Sequence, residues 1–432
     1  MLVKVTNQFT KYNNTPPMKR ITFPILALML VPIAACSDDS EQPEGTGGVD
    51  TPPTVINVTA AESQAVEASN DAAYALFDEL YRADDAYTVF SPLSLHMAMT
   101  MVANGATDET QDELLAVLAG EGATIDDLNS LSNKLYTTLP ATDPKTTVKI
   151  ANSMWHGSGL AFLPSFSKKM DEVMGASVKA YDVSNPAQAA AEVNGWISQN
   201  TSGHIDKLVS PDDIGDFMLA NALYFKSVWA HKFNKSNTRE ESFVNSDFST
   251  TKVPMMHHSA MEGFYAEAGS TQVAVVPFGN HAYYIVLALP ERGKSAADAV
   301  HDMAGICHVA LPAFGNAEID IKLPKLKAKM SSEEIIDAYK NMGVTRVFDA
   351  TKAQVSDMCD IPVSVGKIMH ECVVELDEDG AEAAAATLVG VFVTAPTPVF
   401  LKPKMVFDHP FAFMIVEASS RTILFMGAVN RM

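Results

Sequence analysis

The spacing of the apolar residues changes part-way along this chain, and that change constrains the fold more than any single motif. Over residues 65–81 they recur at helical spacing, with Ala68, Ala72, Ala75, Leu76 and Leu80 on related faces. Ser91-Pro92 predicts a helix start, because Ser caps a first turn and Pro fits inside it. The Met-rich body of that helix, 95–102, is apolar enough to be buried all round. A short amphipathic helix is predicted from Thr107-Asp108-Glu109-Thr110-Gln111. Another covers 189–201, with Val193, Trp196 and Ile197 on one side. Later segments read as strands. Residues 273–278 and 283–289 flank Gly279-Asn280-His281-Ala282, a hairpin pattern, and 411–416 and 422–429 flank a second turn. Residues 318–323 alternate strictly, and 368–376 form the long apolar run of a central strand. Helices ahead of strands imply an α+β fold, not alternating βαβ units.

The 432 residues, 47% of them hydrophobic, suffice for one large core. One globular unit is expected over 61–432, behind a leader at 1–35 and a tether at 36–60. Met18-Lys19-Arg20 precedes an apolar stretch, 21–33, too short to span a bilayer comfortably but suited to a signal peptide, with Met18 a candidate initiator. Ile33-Ala34-Ala35-Cys36 resembles a bacterial lipobox, which implies lipid on Cys36 and an outer-membrane anchor. An ordinary secretory signal with an incidental Cys36 is the alternative. The acidic stretch 37–48 cannot bury enough apolar surface to fold. It resembles the surface-export signal of some bacterial lipoproteins; a plain linker facing the periplasm is the other reading.

The formal charge is −21. Residues 1–35 hold four basic residues and no acid, so the remainder carries 27 basic against 52 acidic residues, or −25. Such a field argues against nucleic acid or other polyanions as partners. Beyond Cys36 the cysteines are Cys307, Cys359 and Cys372, an odd number with no CxxC spacing. They are expected to be small buried hydrophobes, not a disulfide framework or a zinc site.

No enzyme signature stands. G-x-S-x-G, H-E-x-x-H and the phosphate-binding G-x-x-x-x-G-K-[ST] are absent. Ser165-Phe166-Ser167-Lys168 fits S-x-x-K but lacks its companion motifs. His257-His258, beside Met255 and Met256, reads as a strand pair. Gly157-Ser158-Gly159 reads as a turn.

Several segments together resemble the serpin family: Phe90-Ser91-Pro92-Leu93-Ser94, Asn104-Gly105-Ala106-Thr107, Val193-Asn194-Gly195-Trp196-Ile197 and Thr201-Ser202-Gly203-His204-Ile205. Asn221-Ala222-Leu223-Tyr224-Phe225-Lys226 follows, with Trp229 and Phe233, then Leu323-Pro324-Lys325-Leu326, Asp408-His409-Pro410-Phe411 and Phe425-Met426-Gly427-Ala428-Val429-Asn430. They keep the family order over about residues 65–432. The resemblance implies three β-sheets, about nine helices and a long exposed loop near the C-terminus. It also implies that Ser91, Ser94, Asn221 and His370 form a polar cluster under the central sheet. Trp229 would stand at the top of that sheet, and Lys325 would pair with Glu378 at the loop's origin. Independently, His370 lies in an apolar strand, where a buried imidazole needs hydrogen-bond partners.

The loop runs from Glu378 to Pro396. Propensity alone would make 381–386 an Ala-rich helix, but β-formers follow and end at a proline. If the segment becomes a strand, Ala381, Ala383, Ala385, Thr387, Val389 and Val391 share one uncharged face. Glu382 then falls on the opposite face with Ala384, Ala386, Leu388, Gly390 and Phe392. Small uncharged side chains suit insertion between existing strands. This resembles the hinge of inhibitory serpins, here Glu378, Gly380, Ala381, Glu382, Ala383, Ala384, Ala385, Ala386 and Thr387. The family most often has Thr where this chain has Ala381. Counting sixteen residues on from Glu378 places the reactive bond at Thr394–Ala395, flanked by Val393 and Phe392.

The resemblance implies a monomeric suicide inhibitor of serine or cysteine peptidases that has no catalytic residue or cofactor of its own. Its partner is the target peptidase, held as a covalent acyl-enzyme. No heparin site is evident, since residues 128–148 contain only Lys134 and Lys145. A non-inhibitory serpin acting as a carrier is the alternative.

Overall fold

The structure, a computed structural model, describes residues 51–120, 122–307, 314–331, 334–379 and 400–432. Among them are eight α-helices: α1 Ala60–Leu80, α2 Pro92–Ala103, α3 Asp108–Leu118, α4 Ile125–Thr138, α5 Pro164–Met174, α6 Pro186–Asn200, α7 Ala296–Cys307 and α8 Ile335–Asn341. Helices α1 and α4 begin in capping boxes, from Thr59 to Glu62 and from Thr124 to Asp127. In α2 the backbone N–H of Ser94 donates to Ser91 Oγ, and Pro92 occupies the first turn. All twelve residues of α2 are buried, as its uncharged sequence requires.

The strands are β1 Tyr87–Phe90, β2 Thr147–Gly157, β3 Ser177–Tyr181, β4 Phe217–Lys226, β5 Arg239–Val244, β6 Thr250–Ala268 and β7 Thr271–Phe278. They continue with β8 Tyr283–Pro290, β9 Gly315–Pro324, β10 Leu326–Ser331, β11 Lys367–Leu376, β12 Lys404–Val406, β13 Phe411–Glu417 and β14 Ile423–Val429. Five form one sheet in the order β10-β11-β4-β2-β3. The other nine form a ladder in the order β1-β14-β13-β8-β7-β6-β9-β12, with β5 also on β6. The long β6 shifts register between His258 and Met261. Its first part pairs with β5 and its last part with β7. The two further sheets that the resemblance implies are therefore continuous through one strand.

Helix α6 covers one face of the five-stranded sheet, where Val193 and Ile197 join Ala151, Met218, Ala220, Ala222 and Val373 in a buried cluster. Helix α2 packs against β2 and β4. This double cover explains why β2 and β4 escape a reading by alternation. Both lie ahead of the point where helical spacing gives way to strand spacing. Nine of the ten β4 residues are buried, so no period of two survives in the sequence.

Family motifs mark close approaches. A Cβ on Gly105 would lie 2.5 Å from Met358 Cβ. One on Gly427 would lie 2.9 Å from both the Phe413 ring and the Thr88 carbonyl. Residues 51–59, which the sequence reading assigns to the tether, pack on the body. The Asn280 side-chain amide donates to the Thr51 carbonyl at 3.1 Å, and the Ile56 N–H donates to Ser419 Oγ at 2.8 Å. Ile56 itself is buried. Cys359 and Cys372 are buried free thiols, and the side chain of Cys307 lies outside the described residues. Among the described residues no helix is long and apolar enough to cross a membrane.

Candidate functional site

At the centre of the five-stranded sheet, β4 and β11 pair directly and in parallel, from Met218 opposite Lys367 to Phe225 opposite Val374. On their outer edges both are antiparallel, β4 to β2 and β11 to β10. The chain leaves β11 at Leu376, so a segment turning straight back would run antiparallel to both β4 and β11. Antiparallel ladders are somewhat the more stable per residue.

Beneath this seam lies the polar cluster. His370 and Asn221 are register partners across it. The backbone N–H of Ser91 donates to His370 Nε2 at 3.1 Å, and the Ser91 hydroxyl oxygen accepts from the Ser94 N–H at 3.1 Å. All four residues are buried. Burial lowers the His370 pKa to about 3, so the ring is neutral. With Nε2 accepting, its proton sits on Nδ1. The Asn221 side chain donates to Asn152 Oδ1 on β2. Asn152 was not foreseen, although an Asn inside a strand with buried neighbours is the same clue that marks Asn221. Ser91 reaches His370 through its backbone, a contact that no side-chain pattern reveals.

The upper end of the seam holds the loop's root. Trp229 Nε1 donates to the Asp377 carbonyl at 2.7 Å, and its ring stacks on Phe278 with centroids 4.7 Å apart. The Phe233 N–H donates to the Glu378 carbonyl at 3.1 Å. Lys325 Nζ lies 2.7 Å from Glu378 Oε2, and Thr238 Oγ1 donates to the other carboxylate oxygen at 2.7 Å. Burial pushes the Glu378 pKa up, but these bonds outweigh it and hold it below the usual range. Lys235 pairs with Asp379 one residue further on. Thr238 and Asp377 are additions that sequence reasoning missed.

Ser91, Ser94, Asn221 and His370 thus meet under the seam, and Trp229, Lys325 and Glu378 meet at its end. The remaining hinge positions Gly380, Ala381, Glu382, Ala383, Ala384, Ala385, Ala386 and Thr387 lie outside the described residues, as do Phe392, Val393, Thr394, Ala395 and Cys36. The other chemical candidates dissolve into structure. Ser165 and Lys168 fall on the exposed side of α5, and Lys168 pairs with Glu172. His257 Nε2 lies 2.8 Å from Asp320. Among the described residues no group of three His, Cys, Asp or Glu side chains is placed to hold a metal.

Residues 67–432 match the serpin (serine protease inhibitor) family model. The chain is a serpin. Its sequence is 28% identical to Serpin B6 of Pongo abelii over 373 residues, 84% of this chain and 97% of that protein. The fold is similar to that of the Arabidopsis serpin AtSerpin1 in its native stressed conformation. There the TM-score is 0.74 at 24% identity, covering 86% of this serpin and 98% of that chain. It is equally similar to human thyroxine-binding globulin in a ligand complex, with a TM-score of 0.73 at 23% identity over 86% of this serpin and all of that chain. The conserved architecture of this serpin family thus hosts both inhibition and carriage. Its members are mostly peptidase inhibitors and not enzymes.

Proposed function

We propose that this serpin traps serine peptidases by inserting its cleaved loop between β4 and β11. The observation that carries the reading is the direct parallel pairing of those strands beside a loop whose root leaves the end of β11. The peptidase's nucleophilic oxygen attacks the Thr394 carbonyl carbon and forms an ester. The bond to Ala395 breaks, and the Ala395 nitrogen leaves as a protonated amine. The freed segment then adds a strand antiparallel to both neighbours. About a dozen residues gaining ladder bonds at ~1 kcal/mol each yield on the order of 10 kcal/mol, comparable with a domain's whole stability. That is enough to drag the acyl-enzyme along and distort its site.

The residues around the bond are apolar and small, so an elastase-like pocket fits Thr394 or Val393, and a deeper one fits Phe392. A trypsin-like pocket would leave its buried acid unpaired. Cysteine peptidases that read the residue before the break could also be trapped. The uncharged face from Ala381 to Val391 favours this reading over a carrier. Mixing with an elastase-like peptidase should give an SDS-stable complex of summed mass. Cleavage with no complex would leave the carrier reading.

We place the protein on a membrane through lipid on Cys36, at the end of a tether that stops near Thr51. The lipobox-like Ile33-Ala34-Ala35-Cys36 supports this. Cys36→Ser should release the protein to the soluble fraction; continued membrane association would mean the anchor lies elsewhere.

A further inference from the structure

The chain returns from α6 to β4 through residues 201–216, which run along the sheet face opposite the Ser91–His370 cluster. On that face Ile205, Leu208 and Val209 are buried with Ala220 and Ala222 of β4 and Val373 of β11. The segment is fastened at three levels. Near the top of the seam the His204 ring stacks on Tyr224 of β4, with centroids 3.7 Å apart and planes at 5°. In the middle, Asn194 of α6 accepts the Leu208 and Val209 N–H groups at 2.8 and 2.9 Å, and its amide donates to the Val209 carbonyl at 2.9 Å. At the foot, Lys367 Nζ of β11 donates to Asp213 Oδ1 at 2.5 Å. The other Asp213 oxygen accepts the Ser210 N–H at 2.8 Å and the Ser210 hydroxyl at 2.6 Å.

The Asp213–Lys367 pair joins the two strands that insertion must part. Three residues separate Asp213 from Phe217, the start of β4, so Asp213 stays with that strand. Lys367 belongs to β11, where it stands opposite Met218. Neighbouring strands lie about 4.8 Å apart, and one strand placed between them doubles that spacing. The Lys367 backbone then moves about 4.8 Å from β4, more than a hydrogen bond tolerates without a matching reach of the side chain. The 3.0 Å bond from the Gly366 N–H to the Phe217 carbonyl parts with it. Order follows from direction. A segment that leaves β11 at Leu376 and runs antiparallel meets the Val374–Phe225 end first and the Lys367–Met218 end last. The Asp213 side chain is 14% exposed and that of Lys367 40%, so this charge-assisted bond is partly desolvated and stronger than one in open water.

We propose that Lys367 and Asp213 form a latch across the foot of the seam, and that the incoming strand completes its insertion only when the latch opens. The two are positioning residues, which touch neither the peptidase nor the reacting bond. With the latch closed the strand stalls part-way. Water then has time to cleave the ester, leaving a Thr394 carboxylate and free peptidase. With the latch open the peptidase is carried the full length of β11. The latch therefore sets how many inhibitor molecules are consumed per peptidase trapped, and removing it favours trapping. The proposal rests on the reading of the β4–β11 seam as the place of insertion.

A synthetic peptide of residues 381–394, offered to the uncleaved full chain, tests the latch without a peptidase. Its uptake into the seam is followed as the growth of a urea-resistant band on a gel. In D213N the new amide oxygen still accepts from Ser210, and K367M keeps an apolar stem of similar length, so turn and strand are retained. Each variant should take up peptide roughly tenfold faster than the parent. The D213N/K367M double variant should be no faster than either, because all three lack the same interaction. K168M, which breaks an exposed pair within α5, should leave the rate unchanged. Rates in D213N and K367M equal to the parent's would overturn the latch alone. So would a roughly hundredfold gain in the double variant, which would make the two residues independent. Uptake by neither parent nor variants would overturn the seam reading, and the latch with it.

Discussion

Lys325 Nζ lies 2.7 Å from Glu378 Oε2, so the junction of β9 and β10 is bonded to the last buried carboxylate before the loop. Lys325→Met would leave Glu378 with Thr238 as its remaining side-chain partner. A buried carboxylate losing a charged partner should cost about 1–3 kcal/mol, read as a lower urea midpoint near neutral pH. The pair's contribution is present above the unfolded Glu pKa and is lost as pH falls through the depressed folded value. The difference between parent and variant should therefore vanish in acid.

Ala385→Arg should turn the inhibitor into a substrate. The new charge lies on the face that the inserted strand must bury, at a cost of about several kcal/mol. Unchanged trapping stoichiometry on a denaturing gel would mean that the other face is the buried one.

Cleavage within the loop should raise thermal stability, because two antiparallel ladders replace one parallel ladder. A calorimetric scan of nicked protein with no upward shift in Tm would remove loop insertion and leave carriage.

The fold should be acid-sensitive through His96 and His370. Both are fully buried, and burial lowers their pKa values to about 4 and about 3. Each stays neutral in the fold while its unfolded form takes a proton below the ordinary value of 6.5. Stability is thus full above that value and falls toward the folded pKa, by up to about 1.4 kcal/mol per pH unit for each group. Urea midpoints from pH ~7 to pH ~5 should drop less in His96→Leu than in the parent. Parallel curves would show that His96 does not contribute.

The first new N-terminus produced by an elastase-like peptidase should be Ala395. Mass spectrometry of the released fragment decides this. Cleavage one or two residues early, at Thr394 or Val393, would shorten the inserted strand and leak more product. A terminus anywhere else would overturn the assignment of the bond.

Local chemistry was legible wherever a residue's neighbours in sequence decide its conformation. Ser91 and Pro92 announce α2, the alternation over 318–323 announces β9, and Gly279-Asn280 announces the turn between β7 and β8. The motifs from Phe90 to Asn430 carried the family, and the small uncharged face from Ala381 to Val391 carried the inhibitory reading. Only the tertiary structure decided that β4 meets β11, 150 residues later, in parallel and in one register. It likewise decided that Asn152 pairs with Asn221, that His370 Nε2 accepts a backbone N–H, and that His231 faces the β6 strand bearing His258. The physical reason is that alternation records a strand's exposed face. Strands such as β4, covered on both faces by α2 and α6, have none, so their partners are chosen by packing between layers and not by local spacing.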